Sequence, residues 1–294
     1  MKILITGNNG FIGKALVQRL INDNDITGID IGKCDNNDIE YINHDLTKLN
    51  YKVEAKIKEC DIVIHLAGPV GVERIDYEHA TYLADMLSIN LNIFNLIKKY
   101  NKKVIFTSTS EVYFDTKYAN ETDNLIIGSP VKSRWGYASG KLTSEFLCKS
   151  LCKNNIILRL FNVTGKGDNK GVAYKMSSAI TKNDNITLYG SGNQVRTLCD
   201  IRDAVEFIYN LIQNDIYDGD IYNVGNEKNT ISMLSLAKCF IKLSPKNINI
   251  QYKQIEDVFS KNHADIEYRK PCCDKMEKIY KPRYVVQDII KSML

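Results

Sequence analysis

Short apolar runs alternate along this chain with stretches in which apolar residues recur every three or four positions. Ile3 to Ile5 is the first run, and Phe11, Ile12, Ala15, Leu16 and Leu20 then recur at helical spacing. Further runs lie at Asp25–Ile31, Ile39–Ile42, Asp61–Ala67, Lys103–Ser108 and Ile156–Phe161, with helical patterns near Tyr51–Glu59, His79–Tyr100 and Tyr137–Lys153. The run at 61–67 is apolar almost without break, as in a strand buried on both faces. Strict alternation predicts an α/β fold: a doubly wound parallel sheet with helices on both faces and right-handed crossovers. Ligands of such sheets bind outside the strand C-terminal ends.

After about Gly165 the rhythm loosens. Gly171–Lys182, Ile201–Gln213 and Ile231–Leu243 read as helices, Ile186–Tyr189 and Ile221–Val224 as strands, and short elements follow from Lys246. The expected organisation is a first domain over 1–165, to which 197–225 returns, and a smaller mixed part over 166–294.

Composition narrows the function classes. The 294 residues are 44% hydrophobic and 25% charged, as in an ordinary globular chain. No apolar run approaches the roughly 18 residues of a membrane span. The N-terminus enters a strand directly, with no leader pattern, so a cytoplasmic protein is expected. A net charge of +4, with no basic stripe interleaved with aromatics, gives no case for nucleic acid. The eight cysteines match no usual zinc spacing and are expected to be reduced thiols, with no metal bound.

The residues just past each strand carry the candidate chemistry. Gly7-Asn8-Asn9-Gly10-Phe11-Ile12-Gly13 joins the first strand to the first helix. Three glycines there let backbone approach a pyrophosphate at a helix N-terminus, although a glycine triplet alone is equally a tight turn. Asp30 closes the second strand, some 20 residues on. A carboxylate there accepts from both hydroxyls of an adenosine ribose and repels a 2′-phosphate, favouring NAD over NADP. Asp45-Leu46 and His65-Leu66-Ala67-Gly68 follow the third and fourth strands. Small residues in the latter leave room for a cofactor backbone. The fifth strand runs into Thr107-Ser108-Thr109-Ser110-Glu111-Val112-Tyr113, a hydroxyl cluster with a carboxylate that is costly to bury without a use. Tyr137 and Lys141 are four apart on one helix face, where an ammonium is expected to lower the tyrosine pKa. A second pair, Tyr113 and Lys117, has no helical pattern around it and is set aside.

That serial order resembles the extended short-chain dehydrogenase/reductase family, in its nucleotide-sugar branch, over nearly the whole chain. The resemblance implies a Rossmann-type NAD-binding domain. It makes Gly7, Asn9, Gly10, Phe11, Ile12, Gly13, Asp30, Asp45, Leu46, Leu66, Ala67, Gly68, Tyr137 and Lys141 the cofactor-binding set, and Thr109, Tyr137 and Lys141 the catalytic triad. Leu158–Gly165 resembles the segment whose asparagine, here Asn162, meets the substrate diphosphate. Leu188–Arg196 resembles the nucleotide-binding segment, giving Tyr189 and Arg196. Tyr222–Gly225 and Tyr268–Pro271 also fit, the latter supplying Arg269.

In this branch NAD is retained and recycled, and the sugar is oxidised at C4 before it epimerises, loses water or loses carbon dioxide. Thr109-Ser110-Glu111 differs from the Thr-Asp-Glu of the 4,6-dehydratases, and simple 4-epimerases usually lack the Glu. Thr-Ser-Glu with Val-Tyr after it, Arg134-Trp135 before the tyrosine, and Arg269-Lys270-Pro271 resemble UDP-glucuronate decarboxylases, which adds Ser110, Glu111 and Arg269 to the catalytic set. A 4-epimerase or 4,6-dehydratase is the alternative. A non-catalytic NAD-binding regulator sits poorly with the full Thr109, Tyr137 and Lys141 set. Arg134 is expected to be structural or an ion-pair partner. Two departures stand out. Phe114 occupies the family's usual glycine position and is expected to narrow the space beside the sugar or nicotinamide, and Gly71–Arg74 resembles an epimerase or dehydratase loop. Relatives pair as homodimers through the helices at 79–100 and near Tyr137, so a homodimer is expected.

Overall fold

The computed structural model describes residues 1–34, 36–69, 79–254 and 265–294; the expectation for Gly71–Arg74 lies outside them. The first half comprises β1 (Lys2–Thr6), α1 (Phe11–Leu20), β2 (Asp25–Asp30), β3 (Glu40–Asn43), α2 (Tyr51–Glu59), β4 (Ile62–His65), α3 (His79–Tyr100), β5 (Lys103–Thr109), a 3-10 turn (Ser110–Tyr113), β6 (Thr116–Ala119), α4 (Ser133–Leu151) and β7 (Asn154–Leu160). Then follow β8 (Val163–Thr164), α5 (Val172–Lys182), β9 (Ile186–Tyr189), β10 (Val195–Thr197), β11 (Cys199–Asp200), α6 (Ile201–Gln213), β12 (Ile221–Val224), β13 (Thr230–Ser232), α7 (Met233–Leu243), β14 (Ile250–Lys253), β15 (Tyr268–Pro271), α8 (Asp274–Glu277) and α9 (Val286–Met293).

The central sheet is parallel throughout, in the order β12-β7-β5-β4-β1-β2-β3. Its strands are apolar because both faces are covered: Ile3, Leu4 and Ile5 of β1 and all of β4 are buried. On one face Leu16, Val17 and Leu20 of α1 pack with Val205, Phe207 and Leu211 of α6. On the other, Val53 and Ile57 of α2, Ile93, Phe94 and Ile97 of α3, and Cys148 of α4 form the second core. Asn50 starts α2 where the periodicity predicts it, its side chain accepting from the Val53 N–H at 3.0 Å. The chain leaves the β3 edge and returns beside β1 as β4, so strand order reverses between β1 and β4. The crevice past their C-terminal ends is therefore the expected ligand site.

β12 pairs with β7 at the edge of the large sheet. A second sheet, β13-β10-β15-β6, draws on four distant parts of the chain. Its β6 is not apparent in the sequence because Thr116-Lys117-Tyr118-Ala119 has no apolar run. Helix α4 starts four residues before its predicted start, and residues 230–232 form β13 before α7 begins. Lys117 lies on exposed β6, consistent with setting its pair with Tyr113 aside.

Candidate active site

The turn after β1 is a close-packed cradle. Gly7 has φ +75°, and a Cβ on it would lie 2.9 Å from the Ala67 nitrogen; one on Gly13 would lie 2.3 Å from the Gly7 carbonyl oxygen. These positions therefore bring α1, β1 and the end of β4 together around the N-terminus of α1, which has no acidic residue in its first turn. Asp30 accepts from the Asn9 N–H at 3.0 Å and the Gly32 N–H at 3.2 Å, fixing the cradle to the end of β2. Asp45 accepts from the backbone and hydroxyl of Thr47, bonds that lower its pKa and cap the local turn. Buried Leu46 gives its carbonyl to Asn92. Leu66, Ala67 and Gly68 border the crevice, and Ala67 donates to the Thr6 hydroxyl at 3.2 Å.

Thr109 ends β5 and acts to lower the pKa of Tyr137, near the start of α4. One turn on, buried Lys141 donates to the Thr107 carbonyl at 3.0 Å, and a Cβ on Gly68 would lie 3.9 Å from its Nζ. Thus the cradle and the tyrosine helix meet across the crevice. The expected lowering of the Tyr137 pKa is not what the structure gives. Burial, aided by the charge of Glu111, pushes the phenol up to about 12, against Thr109 and Arg269. The lysine ammonium is directed at the Thr107 carbonyl, and burial lowers its own pKa to about 8.

Beyond Tyr137 lies a charge cluster. Glu111, in the 3-10 turn, receives Arg134 Nε at 2.6 Å and Nη2 at 2.8 Å, and Arg269 Nη2 at 2.8 Å. Burial acts to raise the Glu111 pKa, but Arg269 and Arg134 outweigh it and hold the carboxyl well below the usual range. The Arg269 side chain is 3% exposed, and its Nη1 has no partner among the described residues. Arg196 faces Arg269 in register across β10 and β15 and pairs with Asp265 at 3.2 Å. Burial, with repulsion from Arg269 and Arg134, lowers its pKa to about 10. Ser110 is buried at the start of the turn. Tyr189 ends β9, and Asn162, at φ +32°, gives its carbonyl to the Cys199 N–H.

Phe114 caps the same turn at φ +59° and ψ −138°, a conformation that costs a non-glycine residue on the order of 1–3 kcal/mol. Its ring stacks on Trp135, centroids 4.4 Å apart.

The model of the NAD dependent epimerase/dehydratase family matches residues 3–225. The chain belongs to this family. The bifunctional polymyxin resistance protein ArnA of Wigglesworthia glossinidia brevipalpis is 30% identical over 95% of this chain, which spans 48% of that protein. Two solved structures share the fold. The PbgP3 protein from Burkholderia pseudomallei is 24% identical, with a TM-score of 0.85 over 99% of this chain and 94% of its own. MoeE5, in complex with UDP-glucuronic acid and NAD, is 20% identical, with a TM-score of 0.87 over 99% of this chain and 97% of its own.

NAD is the cofactor of this epimerase/dehydratase family member, and the cradle fits it: Gly7 and Gly13 leave no volume for side chains where backbone must approach a pyrophosphate, and Asp30 stands where a ribose hydroxyl needs an acceptor.

Behind the site run two buried networks that the sequence does not announce. Glu145, one turn after Lys141, pairs with Arg159 at 2.7 Å and receives the Ser108 hydroxyl, while Arg159 also donates to Tyr113 at 2.8 Å. Their signal in sequence is the spacing 137, 141, 145 on one helix face. In the other, Ala67 N–H donates to the Thr6 hydroxyl, which faces His65 Nδ1 at 2.7 Å. His65 Nε2 meets Asn90 Oδ1 at 2.8 Å, Asn90 donates to Ser144, and Ser144 donates to the Gly140 carbonyl. Burial drops the His65 pKa to about 3, so the ring is neutral. The tautomer that satisfies every partner carries its proton on Nε2.

Proposed function

We propose that the protein decarboxylates UDP-glucuronate by oxidation at C4, giving UDP-xylose or UDP-4-keto-pentose. The observation that carries this reading is Arg269, a buried guanidinium beside Tyr137 with one nitrogen unpartnered among the described residues. Such a group matches an anionic substituent on the sugar and wastes its desolvation on a neutral one.

Residues 1–165, with 197–225, hold the cofactor, and 166–294 mainly hold the nucleotide sugar. Asn162, just before that second part, meets the substrate diphosphate, and Tyr189 and Arg196 within it hold the nucleotide, with Arg196 on phosphate. Bound NAD, which the Gly7–Gly13 cradle and Asp30 would hold, would supply the hydride acceptor for oxidation at C4. Tyr137 takes the proton of the 4-hydroxyl, and Thr109 holds O4. Lys141 supplies a nearby positive charge, and with its pKa near 8 it is protonated at neutral pH. The 4-ketone makes the C6 carboxylate that of a β-keto acid. Its C5–C6 bond breaks with the electrons passing into the ketone, and carbon dioxide leaves. Arg269 and Ser110 orient the carboxylate before it departs.

The same cluster weakens the dehydratase reading. Ser110 cannot protonate a departing 6-hydroxyl as a carboxylic acid can. Glu111, stripped of basicity by two guanidiniums, is poorly suited to remove a C5 proton at neutral pH. An acidic sugar also agrees with the UDP-glucuronic acid held by MoeE5 on this fold.

Incubation with UDP-glucuronate and NAD, following carbon dioxide and the UDP-pentose, tests the reading. Turnover of UDP-glucose or its N-acetyl analogue with no carbon dioxide from UDP-glucuronate would overturn it. A homodimer through α3 and α4, which expose Leu91 and Phe146, belongs to the same proposal and is checked by light scattering.

A further inference from the structure

We propose that Phe114 is a positioning residue: its ring, stacked on Trp135, fastens the Ser110–Tyr113 turn to the start of α4 and so keeps Glu111 between Arg134 and Arg269. The inference rests on reading that charge cluster as part of the active site.

Three observations carry it. The backbone of Phe114 is in a conformation that glycine adopts freely and phenylalanine does not, at φ +59°. A side chain held there against its own backbone preference must be stabilised by what it touches. What it touches is Trp135, at 4.4 Å and an interplanar angle of 30°, within an apolar cluster completed by Ala138 and Ile266. Every member of that cluster neighbours a residue of the site. Trp135 follows Arg134, Ala138 follows Tyr137, and Ile266 follows Asp265 on the segment that leads to Arg269. Phe114 itself donates its N–H to the Glu111 carbonyl at 3.3 Å. The cluster thus links the three segments that bring Glu111, Arg134 and Arg269 together. The ring acts through the turn and the helix that it joins.

The chain has a single tryptophan, Trp135, so its fluorescence reports the stack directly. Phe114→Gly removes the ring and relieves the backbone; Phe114→Tyr keeps the ring; Phe114→Leu keeps apolar volume without a stack and serves if the glycine variant does not fold. Each is compared with wild type on whichever of UDP-glucuronate, UDP-glucose and UDP-N-acetylglucosamine the wild type turns over. Phe114→Gly and Phe114→Leu are expected to shift Trp135 emission to the red and to lower kcat about tenfold or more, with KM for the nucleotide sugar within about threefold. Phe114→Tyr is expected to keep both within about twofold. A glycine or leucine variant with wild-type kcat, or a tyrosine variant that falls as far as they do, would overturn the proposal. Wild-type inactivity on UDP-glucuronate alone would overturn the decarboxylase reading and leave this comparison intact. Inactivity on all three sugars would overturn both.

Discussion

Replacing Lys141 with methionine should abolish activity and yet not weaken the fold. Burial lowers the Lys141 pKa from 10.5 to about 8. At about 1.36 kcal/mol per pH unit, the folded protein at pH 7 bears on the order of 3 kcal/mol for keeping this ammonium charged. Methionine removes that cost. It also leaves the Thr107 carbonyl without its 3.0 Å donor, a loss of about 1–3 kcal/mol. The net at pH 7 is a variant as stable as wild type or up to about 2 kcal/mol more stable.

The pH dependence isolates the charge. Between pH 8 and 10.5 the unfolded chain holds the Lys141 proton and the folded chain releases it, so this lysine makes wild-type stability rise with pH across that window. The variant lacks that contribution. Its advantage over wild type should therefore shrink by about 3 kcal/mol on going from pH 7 to above 10.5. Urea unfolding of both proteins, under reducing conditions because all eight cysteines are free, measures it. Turnover should fall by at least about two orders of magnitude. Stability curves that stay parallel from pH 7 to 10.5 would refute the assignment of a buried, strained charge.

The other expectations are simpler. Tyr137→Phe should lose at least about two orders of magnitude in kcat with an unchanged melting curve, and full activity would remove Tyr137 from the mechanism. Glu111→Gln leaves Arg134 and Arg269 facing each other and should cost a few kcal/mol at pH 7, on the scale of a broken buried pair. Because the Glu111 pKa is depressed, that contribution is complete above pH 4.5 and lost as pH falls below the ordinary carboxylate range, so the two proteins should converge in acid unfolding toward pH 2. Arg159→Met strands Glu145 in the core and should cost about 3–5 kcal/mol, with much of it recovered on adding Glu145→Gln.

The parallel sheet was legible because its strands are buried on both faces and so carry unbroken apolar runs. Helices α2 and α6 match their predicted limits to the residue for a related reason: each has one apolar face, and Asn50 and Asp200 mark their starts. The periodic signal of helix α4 begins late because Arg134 and Trp135 turn toward the charge cluster and Phe114. Strand β6 had no signal at all. The cradle, Asp30, Thr109, Tyr137 and Lys141 could be picked out because strand ends in such sheets converge on one crevice. Their electrostatics could not. The distance from Lys141 to Tyr137 along the helix says nothing of the Thr107 carbonyl that claims the ammonium, nor of the burial that raises the phenol. The partners of Glu111 were equally hidden, since no local pattern connects residue 111 with residue 269.

That separation has a consequence for how the protein comes into being. Glu111 and Arg269 are 158 residues apart, whereas the cradle, Asp30, Thr109, Tyr137 and Lys141 all lie in the first half of the chain. During synthesis the cofactor-gripping half emerges and can begin to fold while β15 is still inside the ribosome. Until β15 joins, Glu111 would hold Arg134 alone, and the buried Arg269 would be missing from the cluster. The Glu111 cluster is thus completed late, by a strand far downstream of the helix that carries Tyr137.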